Sequence, residues 1–273
     1  VTGAGGAAGS GGAAGTGGGG AGACSAGATA TITQVMNGSI AVGAPVSLRG
    51  VVATSPKFLA SKGSAGACLW AVFVSDPVAQ AAPYSGAIVV NSGARAVADA
   101  SGAFGACPAG TDLIPTDTAP GDTFDLTASV ITYVRSDCAT TTSPPPAPEV
   151  RLNNACSIRR IARGGAVPAP ATVADLAEST NSASEAIHRK WTGVLIRLTN
   201  VTSQTAVGQT GSIQLTNGVR IRDRIYQATK TAVFPAGTVW TSIVGIGHLD
   251  VCTWAVEPRD PCTDFSPKSQ NCP

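Results

Sequence analysis

From residue 29 onward, apolar and polar residues alternate in short runs separated by Gly, Pro and Asn, the two-residue period of strands that bury one face. The pattern predicts strands over 29–35, 45–54, 69–75, 86–91, 122–134 and 149–152. A second set follows over 191–202, 211–216, 219–227, 237–246 and 252–256. Between the sets only 173–190 (VADLAESTNSASEAIHRK) has helical spacing, with Pro168 and Pro170 just ahead of it, so a boundary falls near residue 170. Asn217-Gly218, between two β-rich runs, signals a hairpin, because a type I′ turn needs positive φ at both central positions. The chain therefore reads as all-β, and its 273 residues suffice for one large or two modest domains.

Residues 1–28 follow a different rule. Twelve of the 33 glycines lie between Gly3 and Gly22, and no charged residue precedes Arg49. Glycine at Gly3, Gly6, Gly9, Gly12, Gly15 and Gly18 parses the segment into six consecutive triplets. A three-residue period fits an extended left-handed helix with three residues per turn, one row of which faces a crowded neighbour. No proline precedes Pro45, which disfavours a collagen triple helix and leaves polyglycine-type helices exchanging backbone hydrogen bonds. A flexible Gly-rich linker is the other reading. A segment almost without side chains can be ordered only by another backbone, so the six glycines are the expected contacts of a homopolymer. The chain opens at Val1 with no basic or apolar leader, so a secretory signal is expected to have been removed already. No segment reaches eighteen apolar residues, and no membrane span is expected.

Charge and cysteine change this picture in two ways. Charged residues are 12% of the chain, against roughly 25% in an average domain, and the net charge is +2, which argues against a strongly basic nucleic-acid protein. The eight cysteines (Cys24, Cys68, Cys107, Cys138, Cys156, Cys252, Cys262, Cys272) include no Cys-x-x-Cys pair, so they read as up to four disulfides formed in an oxidising compartment. Cys252, Cys262 and Cys272 are expected to tie down the proline-rich end of the chain. His188 and His248 stand sixty residues apart and neither reads as a metal ligand. A Gly-x-Ser-x-Gly elbow and a Walker motif are absent, and the Gly-x-Gly-x-x-Gly match over 15–20 has no strand before it. No catalytic constellation, metal or cofactor is expected.

Two groups of side chains remain as candidates. Asp112, Asp117, Asp122 and Asp125 form the densest acidic group, either a calcium loop or a solvated one without the spacing of an EF-hand. Arg220, Arg222 and Arg224 alternate along a predicted strand, which puts them on one face with Val219, Ile221 and Ile225 on the other, and Tyr226 follows. That stripe is a candidate for single-stranded nucleic acid or another polyanion; the competing reading is a solvated face paired with Asp223 or Asp250. Arg159, Arg160 and Arg163 form a second basic cluster that reads as a solvated face. Asn37-Gly-Ser39 and Asn200-Val-Thr202 fit the glycosylation pattern and read as incidental if the source is bacterial.

The two strand sets also carry a family resemblance. SLRGVVAT (47–54), LWAVFVSDP (69–77), SGAIVVN (85–91), PGDTFDLTASVITY (120–133) and PEVRLNN (148–154) resemble the five strands of an OB-fold barrel. WTGVLIRLTNVT (191–202), GSIQLTNGVRIRDRIY (211–226), GTVWTSIVGIGHLD (237–250) and TWAVEPRDPCTDF (253–265) are similar to the second barrel of the tandem OB-fold region found upstream of the catalytic domain in secreted bacterial extracellular nucleases. The resemblance covers roughly 29–265 and implies two tandem barrels, a helical connection at VADLAES (173–179) and an extracellular, bacterial address. The nuclease domain would follow residue 265, where only eight residues stand, so no DNA cleavage is implied. OB barrels bind oligonucleotides on the face of their second and third strands, the third being the arginine stripe here.

The resulting expectation is a Gly-triplet assembly segment (1–28), an OB-like barrel (29–170), a helical connection (171–190), a second barrel (191–260) and a disulfide-tied tail (261–273). The expected function is that of a secreted, non-enzymatic structural protein at the bacterial surface or in its matrix, assembling through the glycine segment into a filament. The alternative is a binding module for extracellular DNA or an anionic polysaccharide.

Overall fold

The computed structural model describes residues 27–134, 138, 149–173, 190–206, 212–226, 233–250 and 252–273. The glycine triplets and all but the two ends of the predicted helix at 173–190 lie outside the described residues.

The fold is predominantly β. In the first half, β1 (Ala28–Ala30), a short helix α1 (Ile32–Met36), β2 (Pro45–Ala53), β3 (Phe58–Lys62), β4 (Cys68–Ser75), β5 (Gly86–Ser92), β6 (Thr123–Tyr133) and β7 (Glu149–Ala162) follow in order. They form one sheet in the order β1-β2-β6-β7-β5-β4-β3, in which β2 also pairs with β4. Pairing therefore returns on itself through five strands, with β5 and β7 parallel at Val89 and Leu152 and the other contacts of the ring antiparallel.

The second half contributes β8 (Ala171–Thr172), β9 (Leu195–Thr202), β10 (Ile213–Gln214), β11 (Arg220–Ile221), β12 (Val239–Asp250), β13 (Thr253–Glu257) and β14 (Phe265–Ser266). Its order is β10-β11-β13-β12-β9-β8, with β14 on β12. A bridge between Ser203 and Leu215 joins the end of β9 to that of β10, and β11 runs parallel to β13.

Burial follows what each strand faces. β6 alternates, with Phe124, Leu126, Ala128 and Val130 buried and their neighbours half-buried, because only one face meets the core. β4 and β5 instead carry continuous buried runs. Val72, Val74, Ala87 and Val89 point into the first core with Leu48, Leu126 and Leu152, while Ala71, Phe73, Ile88 and Val90 point out of it into the second, among Trp191, Ile196, Trp240, Ile246 and Trp254. The two halves thus share apolar surface across β4 and β5. Their backbones touch as well. A Cβ at Gly86 would stand 2.1 Å from the Gly193 carbonyl oxygen, and one at Gly193, at φ +76°, would stand 2.3 Å from the Ala87 nitrogen.

Several expectations are corrected here. The strand predicted over 29–35 stops at Ala30, because Thr31 and Gln34 form a capping box and the Ile32 and Thr33 amides donate to Asp76 at 2.8 and 2.9 Å, which starts α1. The connection expected to be helical from 171 opens as a strand, since β8 pairs in parallel with β9. The Asn217-Gly218 hairpin is present, but only Gly218 takes positive φ, with Leu215 and Val219 closing a three-residue loop. β3, β8 and β14 are short strands that the periodicity did not signal.

Three disulfides join Cys68 to Cys107, Cys138 to Cys252 and Cys262 to Cys272, and Cys156 is also disulfide-bonded. Cys262 and Cys272 do tie the tail. Cys252 does not: it reaches back 114 residues to Cys138 and so links the two halves. The disulfides fit an oxidising compartment. Among the described residues no helix is long and apolar enough to cross a membrane.

Candidate functional site

The acidic loop spends its charge on local cations. Asp112 binds Lys57 at 2.5 Å with both side chains buried, Asp122 lies 3.2 Å from Arg160, and Asp117 takes Arg160 and Arg163. Asp125 takes Arg159 and Arg49 and accepts the Gly50 amide at 3.0 Å. Hydrogen bonds from Arg160 and Arg163 hold the Asp117 carboxyl well below the usual range, and the Gly50 amide with the arginines lowers that of Asp125. Among the described residues no three of these carboxylates come close enough to share a metal ion, and each is paired with a neighbouring cation instead. The Arg159, Arg160 and Arg163 cluster is the loop's counter-charge.

The arginine stripe is not a continuous basic face either. β11 ends at Ile221, and Arg224 to Tyr226 form a turn. Arg222 and Arg224 reach the buried Asp250, Arg222 with its Nε 2.6 Å from Oδ2 and Arg224 by a hydrogen bond to Oδ1, and Arg224 also donates to the Ala60 carbonyl at 2.7 Å. Arg220 remains half-buried. Tyr226 is buried in the second core, and burial, with the nearby Asp223 and Glu257 charges, holds its phenol above its usual range. It offers no stacking platform.

What the sequence pattern did not bring together is the junction between the halves. His248 and Asp250 alternate on β12 and so share a face, and Glu257 on β13 lies opposite Ile246, one diagonal step from His248. Glu149, the first residue of β7, comes from the other half. His248 Nε2 lies 3.7 Å from Glu149 Oε1, and its Nδ1 lies 3.5 Å from Glu257 Oε1. The ring meets Phe73 edge-on at 5.3 Å. Glu149 also accepts the Leu249 amide at 3.1 Å and Arg151 Nε at 2.5 Å, while Arg151 stacks on Tyr133 at 3.8 Å. Glu257 accepts the Arg224 amide at 3.2 Å.

Burial alone would raise the Glu149 carboxyl, but Arg151, His248 and the Leu249 amide outweigh it and lower it. The same balance, struck by Arg224, His248 and Arg222, lowers Asp250. Burial raises Asp223. A cleft of about 250 Å³ opens over this cluster, lined by Lys62, Tyr133, Arg151, Arg224, His248 and Asp250 among others. Its walls come from both halves. The signal available beforehand was the His248-x-Asp250 alternation; Glu149, a hundred residues away, left none. Comparison of the chain with protein-family models, with curated proteins and with solved structures finds no match.

Proposed function

We propose that the protein is a secreted structural subunit without catalytic activity: two OB-type barrels fused into one rigid block, with the Gly-triplet segment as the contact through which copies assemble into a filament or matrix. Support for the barrel reading comes from strand order. In the first half β2 pairs β4 and β6, β5 runs parallel to β7 and β7 pairs β6; in the second β9 pairs β12 and is joined to the end of β10 by the single Ser203–Leu215 bridge, β11 runs parallel to β13 and β13 pairs β12, the connectivity expected of a five-stranded OB barrel.

The observation that carries the structural reading is the junction. Shared apolar surface, a Gly86–Gly193 backbone contact, the Cys138–Cys252 disulfide and a buried ion cluster hold the halves together. A rigid block with a repeated backbone-only segment suits head-to-tail contacts, which propagate as filaments when they do not close into a ring. Electron microscopy and light scattering of the purified full chain test it. Polymer from the full chain and a folded monomer after deletion of residues 1–23 are expected. A full chain that stays monomeric, or a deletion that polymerises as before, rejects the reading.

A second reading is the binding of extracellular DNA or another polyanion, and it is favoured by the cations at the mouth of the cleft. Lys62 there bonds only main-chain carbonyls among the described residues. It predicts affinity that falls steeply with salt and weakens in a Lys62→Gln variant.

A further inference from the structure

Beneath the cleft, His248, Asp250 and Glu257 bring nitrogen and oxygen donors together, and the cleft reaches the first two. One donor atom each from His248, Asp250 and Glu257 lie within 4.8 Å of one another, and all three residues are buried. His248 is only 4% exposed, yet neither ring nitrogen makes a hydrogen bond among the described residues, and the same holds for Glu257 Oε1, while Asp250 Oδ2 meets Arg222 Nε as an ion pair at 2.6 Å. Buried polar atoms nearly always have partners, because burial strips them of water, so these donors point to a ligand.

Either a proton on His248 or a bound cation can sit between the ring and the carboxylates that face it, and the geometry separates the two. An imidazolium held by carboxylates makes bonds of about 2.7–2.9 Å aimed along N–H, whereas here the approaches are 3.5 and 3.7 Å and neither is a hydrogen bond. Two donors on one tetrahedral ion, each about 2.0–2.1 Å from it, stand about 3.3 Å apart, close to the 3.5 Å between His248 Nδ1 and Glu257 Oε1.

We propose that His248 through Nδ1, with Asp250 and Glu257, binds a divalent transition-metal ion, zinc on the strength of its mixed imidazole and carboxylate donors. Glu149 stands 3.7 Å from the remaining ring nitrogen, Nε2, near enough to accept its N–H once the ring turns to the ion, and is the positioning residue, a carboxylate behind a metal-bound histidine. Arg222 and Arg224 hold Asp250 from behind. The cleft, which reaches His248 and Asp250, is the route of entry and leaves a fourth position open to water or an anion. Because Glu149 belongs to the first half and the ligands to the second, metal binding braces the junction.

The test is zinc binding by the full, disulfide-intact chain after chelator treatment, read by equilibrium dialysis with zinc chloride. One zinc per chain is expected, with a raised Tm. X-ray absorption at the zinc edge is expected to show one imidazole, oxygen donors and no sulfur. His248→Gln and Glu257→Gln lose stoichiometric binding, while Glu149→Gln weakens it about 10–100-fold. Wild-type chain that takes up no zinc overturns the proposal, whatever the variants do. So does undiminished binding by a folded His248→Gln chain, or a His248 ring resonance that titrates with acid and is untouched by zinc, which would put a proton in the metal's place. Polymerisation is scored separately, so the outcome is independent of the assembly reading.

Discussion

The molecule holds two gatherings of arginine and carboxylate that contain the same residue types and behave as opposites. On the first sheet, Asp117 and Asp125 meet Arg49, Arg159, Arg160 and Arg163 largely in water; Arg49, Arg159 and Arg163 each keep about two-thirds of their side chain exposed, at 68%, 68% and 66%. At the junction, Glu149, Asp250 and Glu257 meet Arg151, Arg222, Arg224 and His248 with the carboxylates almost wholly buried. The exposed lattice is easily seen in the sequence and contributes little, because solvent screens it and ordering long side chains offsets the attraction. The buried cluster is spread over a hundred residues of sequence, and each of its members depends on the others, since an unpaired charge there has no water to turn to. Density of charge along the chain is therefore a poor guide to where charge matters in this fold; desolvation decides.

Removing one member from each gathering sharpens the contrast. Asp250→Ala strands Arg222 and Arg224 in a buried site and should cost about 3–5 kcal/mol in urea unfolding, the largest effect expected of any single charge. Gly193→Ala attacks the same junction sterically, by a backbone overlap and an unfavourable φ, and should cost about 1–3 kcal/mol.

Acid should act chiefly through the junction. The Glu149 and Asp250 carboxyls are lowered in the folded chain, so their contribution is fully present above the ordinary carboxylate values of about 3.9–4.3 and is lost as pH falls through the lowered ones. Unfolding followed by circular dichroism should therefore steepen below about pH 4, and Glu149→Gln should flatten that limb. The smallest effect belongs to the exposed lattice. Asp117→Asn should leave the urea midpoint within experimental scatter, and the small change it does make should vanish in 1 M salt, whereas the Asp250→Ala effect should persist.

Much of the architecture was legible in the sequence. Period-two runs located β2, β4, β5, β6, β9 and β12 to within a few residues, because alternation and burial are tied by the pleat. The strand at 29–35 was misread because Ile32 and Val35 look β-favouring, while the Thr31 and Gln34 caps and the remote Asp76 decide the local backbone. The arginine stripe was legible in part: the pairing with Asp250 offered as one of its two readings is present, but alternation assumes that a strand continues, and β11 stops at Ile221. Cys252 was placed with the tail by proximity in sequence, whereas its partner Cys138 is set by the packing of the two halves. The junction itself was invisible, since Glu149, His248 and Glu257 sit in three strands of two sheets and meet only once both have folded.

The claim on which the rest depends is that the two halves form one rigid body, and differential scanning calorimetry of the full, oxidised chain tests it most directly. The account predicts a single transition with equal calorimetric and van't Hoff enthalpies. Two separable transitions, one for each half, would contradict it.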